Sequence, residues 1–177
     1  MPNRISHRNA FANVRIFSAS FAVLLITASL VFAHQPVSAD KYSREDQHAL
    51  ETYSLSGDNL IKVTPAAKAL QKLEASDPSV SAILLHVSGE TLDQTFKRID
   101  ANSKLAAALH VSGLSTKEYW MTSATATMAY ITTQMLTNGM AQSTMDSMFP
   151  WKASADQITF VKAHQTEIDQ MMAIKKP

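Results

Sequence analysis

The placement of glycine constrains this chain more than any other feature. Its 177 residues contain four glycines, Gly57, Gly89, Gly113 and Gly139. Each stands where an apolar pattern of helical period begins or breaks off. Glycine reaches the left-handed conformation that closes a helix, and in a helix interior it costs about 1 kcal/mol relative to alanine. A sequence that confines it to boundaries reads as helices joined by short connections. Capping signals fall at the same places. Thr91-Leu-Asp-Gln94, Ser115-Thr-Lys-Glu118 and Ser154-Ala-Asp-Gln157 have the form of capping boxes. Thr64-Pro65 and Asp77-Pro78 place a capping side chain before a first-turn proline, and Asn102 is a further cap.

An apolar stripe lies behind each cap. Leu70 and Leu73 come after Pro65, and Val80, Ile83, Leu84 and Val87 after Pro78. Phe96 and Ile99 come after the Thr91 box, and Leu105, Leu109 and Val111 after Asn102. The Ser115 box opens the longest pattern, about Thr116 to Asn138. The Ser154 box opens the last, with Ile158, Val161, Ile168 and Met171 or Met172 on its apolar face. No stretch alternates with period two. The expected fold is therefore a compact all-α bundle of about five or six helices, with the long helix near 116–138 at its centre. One phrase repeats: Leu85-His-Val-Ser-Gly89 returns as Leu109-His-Val-Ser-Gly113. It reads as two uses of one helix-ending phrase or as duplication of a short helical unit.

The first 39 residues have a different character. Arg4, Arg8 and Arg15 stand before or at the edge of an apolar run that ends near Ala33, with no acidic residue among them. Small residues at Val37 and Ala39, and again at Val31 and Ala33, fit signal-peptidase cleavage. Cleavage is expected after Ala39. The rival is an uncleaved anchor, since 16–33 approaches the roughly 18–20 apolar residues that span a bilayer. Ser and Thr residues within the run weaken it as a span. Three segments result: a signal peptide over 1–39, a flexible arm over 40–54, and one helical domain over 55–177. All 15 acidic residues but only 13 of the 16 basic ones come after Ala39, so the mature chain carries a net charge of −2. That balance offers no footprint for nucleic acid, and membrane contact is expected only through an uncleaved leader. With no cysteine, disulfides, thiolate metal sites and lipidation through cysteine are excluded. The expected location is periplasmic or secreted.

Chemistry-bearing patterns are sparse. The sequence contains no Gly-x-Ser-x-Gly, His-Glu-x-x-His, phosphate loop or dinucleotide glycine pattern. His86 and His110 occupy matching places in the repeated phrase. They suit either a paired imidazole site or, preferably, helix ends, where a cation complements the dipole. His164 precedes Glu167 by one turn, and Glu45-x-x-His48 lies in the arm. Their order and number do not make a carboxylate-bridged di-metal centre. Methionine is abundant, with nine in the chain and none between Met1 and Met121. Met121, Met128 and Met135 are spaced by seven along the long helix. Methionine fills irregular cores and adaptable grooves, and its thioether is also a soft ligand for Cu(I).

The function expected is an exported helical binding or interaction module without catalytic activity or cofactor. Its partner is an apolar small molecule or an envelope protein. The residues expected to meet that partner are Trp120, Met121, Met128, Tyr130, Met135, Met148 and Trp151. The alternative is soft-metal binding, copper above all, or haem held by a methionine and His164. Elemental analysis and a visible spectrum of protein from its own host separate the two; the binding module gives a colourless, metal-free sample. N-terminal sequencing of the exported protein is expected to begin at Asp40, and a sequence beginning at Met1 identifies the anchor instead.

Overall fold

The computed structural model describes residues 42–173; the expected leader over 1–39 lies outside them. Among the described residues there are nine helices and no strand. In chain order they are α1 (Arg44–Glu51), α2 (Gly57–Ser76), α3 (Val80–Leu84), α4 (Leu92–Asp100), α5 (Ser103–His110), α6 (Thr116–Thr137), α7 (Gln142–Met148), α8 (Ala155–Ala163) and α9 (Gln165–Ala173). The all-α class and the long central helix stand. The helix count rises because the N-terminal arm and the Met140–Trp151 loop each contain a helix, and the last helix breaks at His164.

All three capping boxes form with both reciprocal bonds, opening α4, α6 and α8. Asn102 caps α5 by accepting from the amides of Lys104 and Leu105. Gly139 closes α6. Its φ is 82°, its amide donates to the Leu136 carbonyl, and the Met140 amide donates to Met135. This pair of bonds satisfies carbonyls that the helix end leaves open, and a side chain at that φ would be strained. The glycines of the repeated phrase, Gly89 and Gly113, are also left-handed.

Two expected helix starts moved. Helix α2 begins at Gly57, not at Pro65, because the Ser56 hydroxyl accepts from the Asn59 amide and caps it earlier. Pro65 lies inside the helix, where its missing N–H leaves the Ile61 carbonyl without a helical donor. Asp77 closes α2 instead of opening α3, and its carboxylate takes up the Ser79 hydroxyl.

Helix α6 is the axis of the fold. It is packed by α1, α2, α4, α5, α8 and α9. Every residue from Tyr119 to Ala129 is buried, so three turns of this helix have no solvent face. Its many threonines give it poor intrinsic propensity, and neighbours on all sides supply the stability it lacks. Alanines at 124, 126 and 129 keep its surface low. Some hydroxyls are satisfied within the helix: Thr133 donates to Ala129 and Thr137 to Thr133. Thr122 instead meets the Tyr53 hydroxyl at 2.9 Å.

The expected flexible arm over 40–54 is corrected by the structure. From Tyr42 onward it is a packed strap. Leu50 has no exposed surface and Tyr42 is buried. The buried Asp46 carboxylate accepts the Leu92 amide at 3.2 Å, at the start of α4, where the helix dipole favours an anion. The strap's far end is held by Gln157, at the start of α8. Its side-chain amide donates to the carbonyls of Leu50, Glu51 and Tyr53 at 2.9, 3.1 and 2.9 Å. Its carbonyl accepts the Ser154 amide and completes the capping box. Each buried group left without a partner costs about 1–3 kcal/mol. Gln157→Ala is therefore expected to destabilise by about 3 kcal/mol or more, and Leu50→Ala by about 2–5 kcal/mol. Urea unfolding of both variants measures this. Wild-type stability in both would show the strap to be detachable.

Candidate functional site

The residues expected to form a ligand-facing surface are for the most part interior. Trp120, Met121, Met128, Met135 and Trp151 are buried, Tyr130 is half-buried, and Met148 is exposed at 49%. The heptad of methionines is core filling along α6. The Met148-Phe-Pro-Trp151 turn tucks Phe149 and Trp151 against the core. Trp120 and Trp151 join an aromatic nest around Tyr42. The Tyr42 ring lies 5.1 Å from Trp151 in an edge contact, 6.5 Å from Trp120, and 4.4 Å from His86 in a parallel stack. Phe96 meets Trp120 edge-on at 5.9 Å. Burial, and secondarily the Asp46 charge, pushes the Tyr42 hydroxyl well above its usual range, so it stays neutral.

His86 and His110 do not share an environment. His110 is the last residue of α5, as expected of a helix-end histidine, with Asp100 at 3.9 Å and the Thr116 hydroxyl at 3.5 Å. Thr116 also bonds Asp100. His86 lies beyond the end of α3 and turns inward to the Tyr42 ring. Arg98 is the cause. Its guanidinium donates to the carbonyls of Ile83 and Leu85 and pairs with Glu90 on both carboxylate oxygens. It thus ends α3 early and fixes the connection to α4. The Thr95 hydroxyl donates to Glu90 at 3.1 Å and lies 2.8 Å from His86 Nδ1. With its one hydrogen spent on Glu90, Thr95 accepts from the imidazole, so Nδ1 carries a hydrogen. His164 stacks on Phe160 at 4.2 Å with Glu167 at 4.0 Å. Among the described residues no group of three or more His, Asp or Glu side chains is arranged to hold a metal ion.

Among the described residues, two clefts open on the strap. The smaller, 240 Å³, is bounded by Glu45, Asp46 and Ala49 of α1, by residues 91–93 with Phe96, and by Lys117 and Met121. Met121 is the expected ligand residue that reaches it. The larger, 510 Å³, lies between the strap's hinge and the start of α8. One wall is Glu51 through Leu55; the other is Ser154, Asp156, Gln157 and Phe160. Ligand sites typically measure about 300–1,000 Å³, which singles out the larger cleft. Gln157 ties the two walls together through its bonds to the hinge carbonyls. Gln157 is legible in the sequence as a capping partner but not as the strap's anchor, because its acceptors lie 104 to 107 residues away. Nothing local marks Glu51 or Tyr53 as facing it.

Comparison of the chain with protein-family models, with curated proteins and with solved structures gave no match.

The Arg98 cluster gives a pH dependence. The Arg98 hydrogen bond, opposed by desolvation and helped by the Thr95 hydroxyl and the Arg98 charge, holds the Glu90 carboxyl below the usual glutamate range. A depressed carboxylate stabilises the fold above its unfolded pKa, and that contribution is lost as pH falls through the folded value. Glu90→Gln is therefore expected to lower stability at pH 7. The difference from wild type should shrink below about pH 4, where the carboxylate protonates in the unfolded chain. Thermal melts from pH 7 to pH 3 check this; a difference that grows on acidification contradicts it.

Proposed function

We propose that this chain is an exported, non-catalytic helical binding module whose contact surface is the 510 Å³ cleft between the strap hinge and α8. The leader-like residues 1–39 support export. The cleft itself carries the binding reading. Its volume suits a small molecule or a short segment of another protein. Its two walls are pre-organised by Gln157, so a ligand meets a formed site and little ordering cost. The methionine-rich helix contributes rigidity behind the site. Met148 and the half-exposed Leu136 are apolar side chains left outside the core.

Native-host purification coupled to mass spectrometry tests the assignment. Ser54→Trp places a bulky ring at the cleft wall, and Met148→Ala removes the exposed methionine. The expected result is that co-purifying ligand is lost by at least about tenfold in Ser54→Trp, a loss of about 1.4 kcal/mol, and retained in Met148→Ala. The opposite pattern moves the contact surface to the Met148 side. Retention in both variants, or no ligand in the wild type, overturns the cleft reading.

A further inference from the structure

The strap meets the rest of the protein as a separable unit. Its buried surface is one stripe, Tyr42, Asp46 and Leu50, at four-residue spacing, and the other residues of α1 are exposed or half-buried. The middle of the stripe is a carboxylate, which accepts the Ser43 hydroxyl on one oxygen and the Leu92 amide on the other. Among the described residues of the strap, Tyr42 and Leu50 are the buried apolar side chains. A segment held by so few apolar contacts opens before the core does.

The groups that seat the strap lie far along the chain. Leu92, Thr122, Lys152 and Gln157 bond to it, and the aromatic nest receives Tyr42. None of these partners lies in α2, the helix that follows the strap directly. The seat is built by the body of the protein. It recognises an aromatic ring, a carboxylate and a leucine, whichever chain carries them.

The junction between strap and body is also clean. The strap's last bonds are at Tyr53, whose carbonyl accepts from Gln157 and whose hydroxyl meets Thr122. The first bonds of α2 are at Ser56, whose hydroxyl accepts the Asn59 amide and whose carbonyl accepts the Leu60 amide. Among the described residues, Ser54 and Leu55 between them make no hydrogen bond. The 510 Å³ cleft lies against these two residues, so one side of the hinge has no packing to hold it. They can turn without breaking a bond of either unit.

We infer that the strap exchanges between copies of this chain. The strap of one copy seats on the body of a second, which returns its own, giving a symmetric dimer. A second copy's strap is the occupant the seat is shown to fit, because the same segment fills it here. Every bond of the seat is kept on exchange, and only the hinge changes direction. Tethering is what separates the two forms. A short tether holds the strap near its own seat at an effective concentration of about 1 mM, so the monomer prevails in dilute solution and dimer grows as the protein approaches that concentration.

Sedimentation velocity and isotope-filtered NMR test the exchange. The exported protein is warmed below its melting transition, so that straps open, and then cooled. Dimer is expected after treatment at about 1 mM and monomer after treatment at about 10 µM. In dimer assembled from labelled and unlabelled chains, the Tyr42 and Trp151 rings, 5.1 Å apart between centroids, are expected to show contacts between chains. Deleting Ser54 and Leu55 leaves a junction too short to fold back, and this variant is expected to be dimeric at about 10 µM. Monomer at both concentrations overturns the inference. So does a dimer whose Tyr42–Trp151 contacts stay within each chain, or a folded but monomeric deletion variant. If the deletion variant does not fold, the two measurements on the unaltered protein decide.

Discussion

One amide side chain closes this fold. Gln157 donates to three main-chain carbonyls, of Leu50, Glu51 and Tyr53, while its own carbonyl completes the cap of α8. Helix ends leave carbonyls without partners, and burying them is costly unless something donates. The end of α1 has this problem because Leu50 must be buried for the strap to pack. Gln157 solves it from the other end of the chain. The same bonds set the spacing between hinge and α8, which is the cleft. Strap packing, helix capping and cleft geometry therefore depend on one buried residue.

The central helix presents the complementary constraint. Helix α6 carries apolar and hydroxyl residues around its whole circumference, with Tyr119 to Ala129 all buried. Such a helix has no amphipathic face to choose one neighbour over another. Its surroundings choose for it, through close approach at its alanines and through specific polar contacts such as Thr122 with Tyr53. Burial pushes the Tyr119 hydroxyl upward, as it does Tyr42, so the interior keeps its phenols uncharged. Methionines at seven-residue spacing then fill irregular gaps between the neighbours. The resemblance of their spacing to a recognition seam comes from the period of the helix itself.

The repeated phrase shows how far local chemistry reaches. Both copies, Leu85 to Gly89 and Leu109 to Gly113, end in a left-handed glycine. That much is a backbone property carried by five residues. The histidines diverge because their neighbours do. Asp100 and Thr116 hold His110 at a helix end, while Arg98 cuts α3 short and delivers His86 to Tyr42. Equal sequence gives equal chain direction at the turn, but not an equal site.

The all-α class and most helix boundaries were legible in the order of residues, since caps, glycine closures and the three capping boxes are bonds within three to five residues. The starts expected at Thr64-Pro65 and Asp77-Pro78 lie elsewhere, because Ser56 caps α2 earlier and Asp77 closes it. The strap also reads as loose in the sequence, because its polar surface hides anchors supplied from elsewhere. Packing in three dimensions is what makes Trp120, Met128 and Trp151 core, lets Asp46 accept from the start of α4 across 46 residues, and lets Gln157 reach Leu50 across 107. The physical reason is range. A helix end is satisfied by its immediate neighbours in the chain, whereas a buried carbonyl or a cleft wall is satisfied by whatever packing brings near.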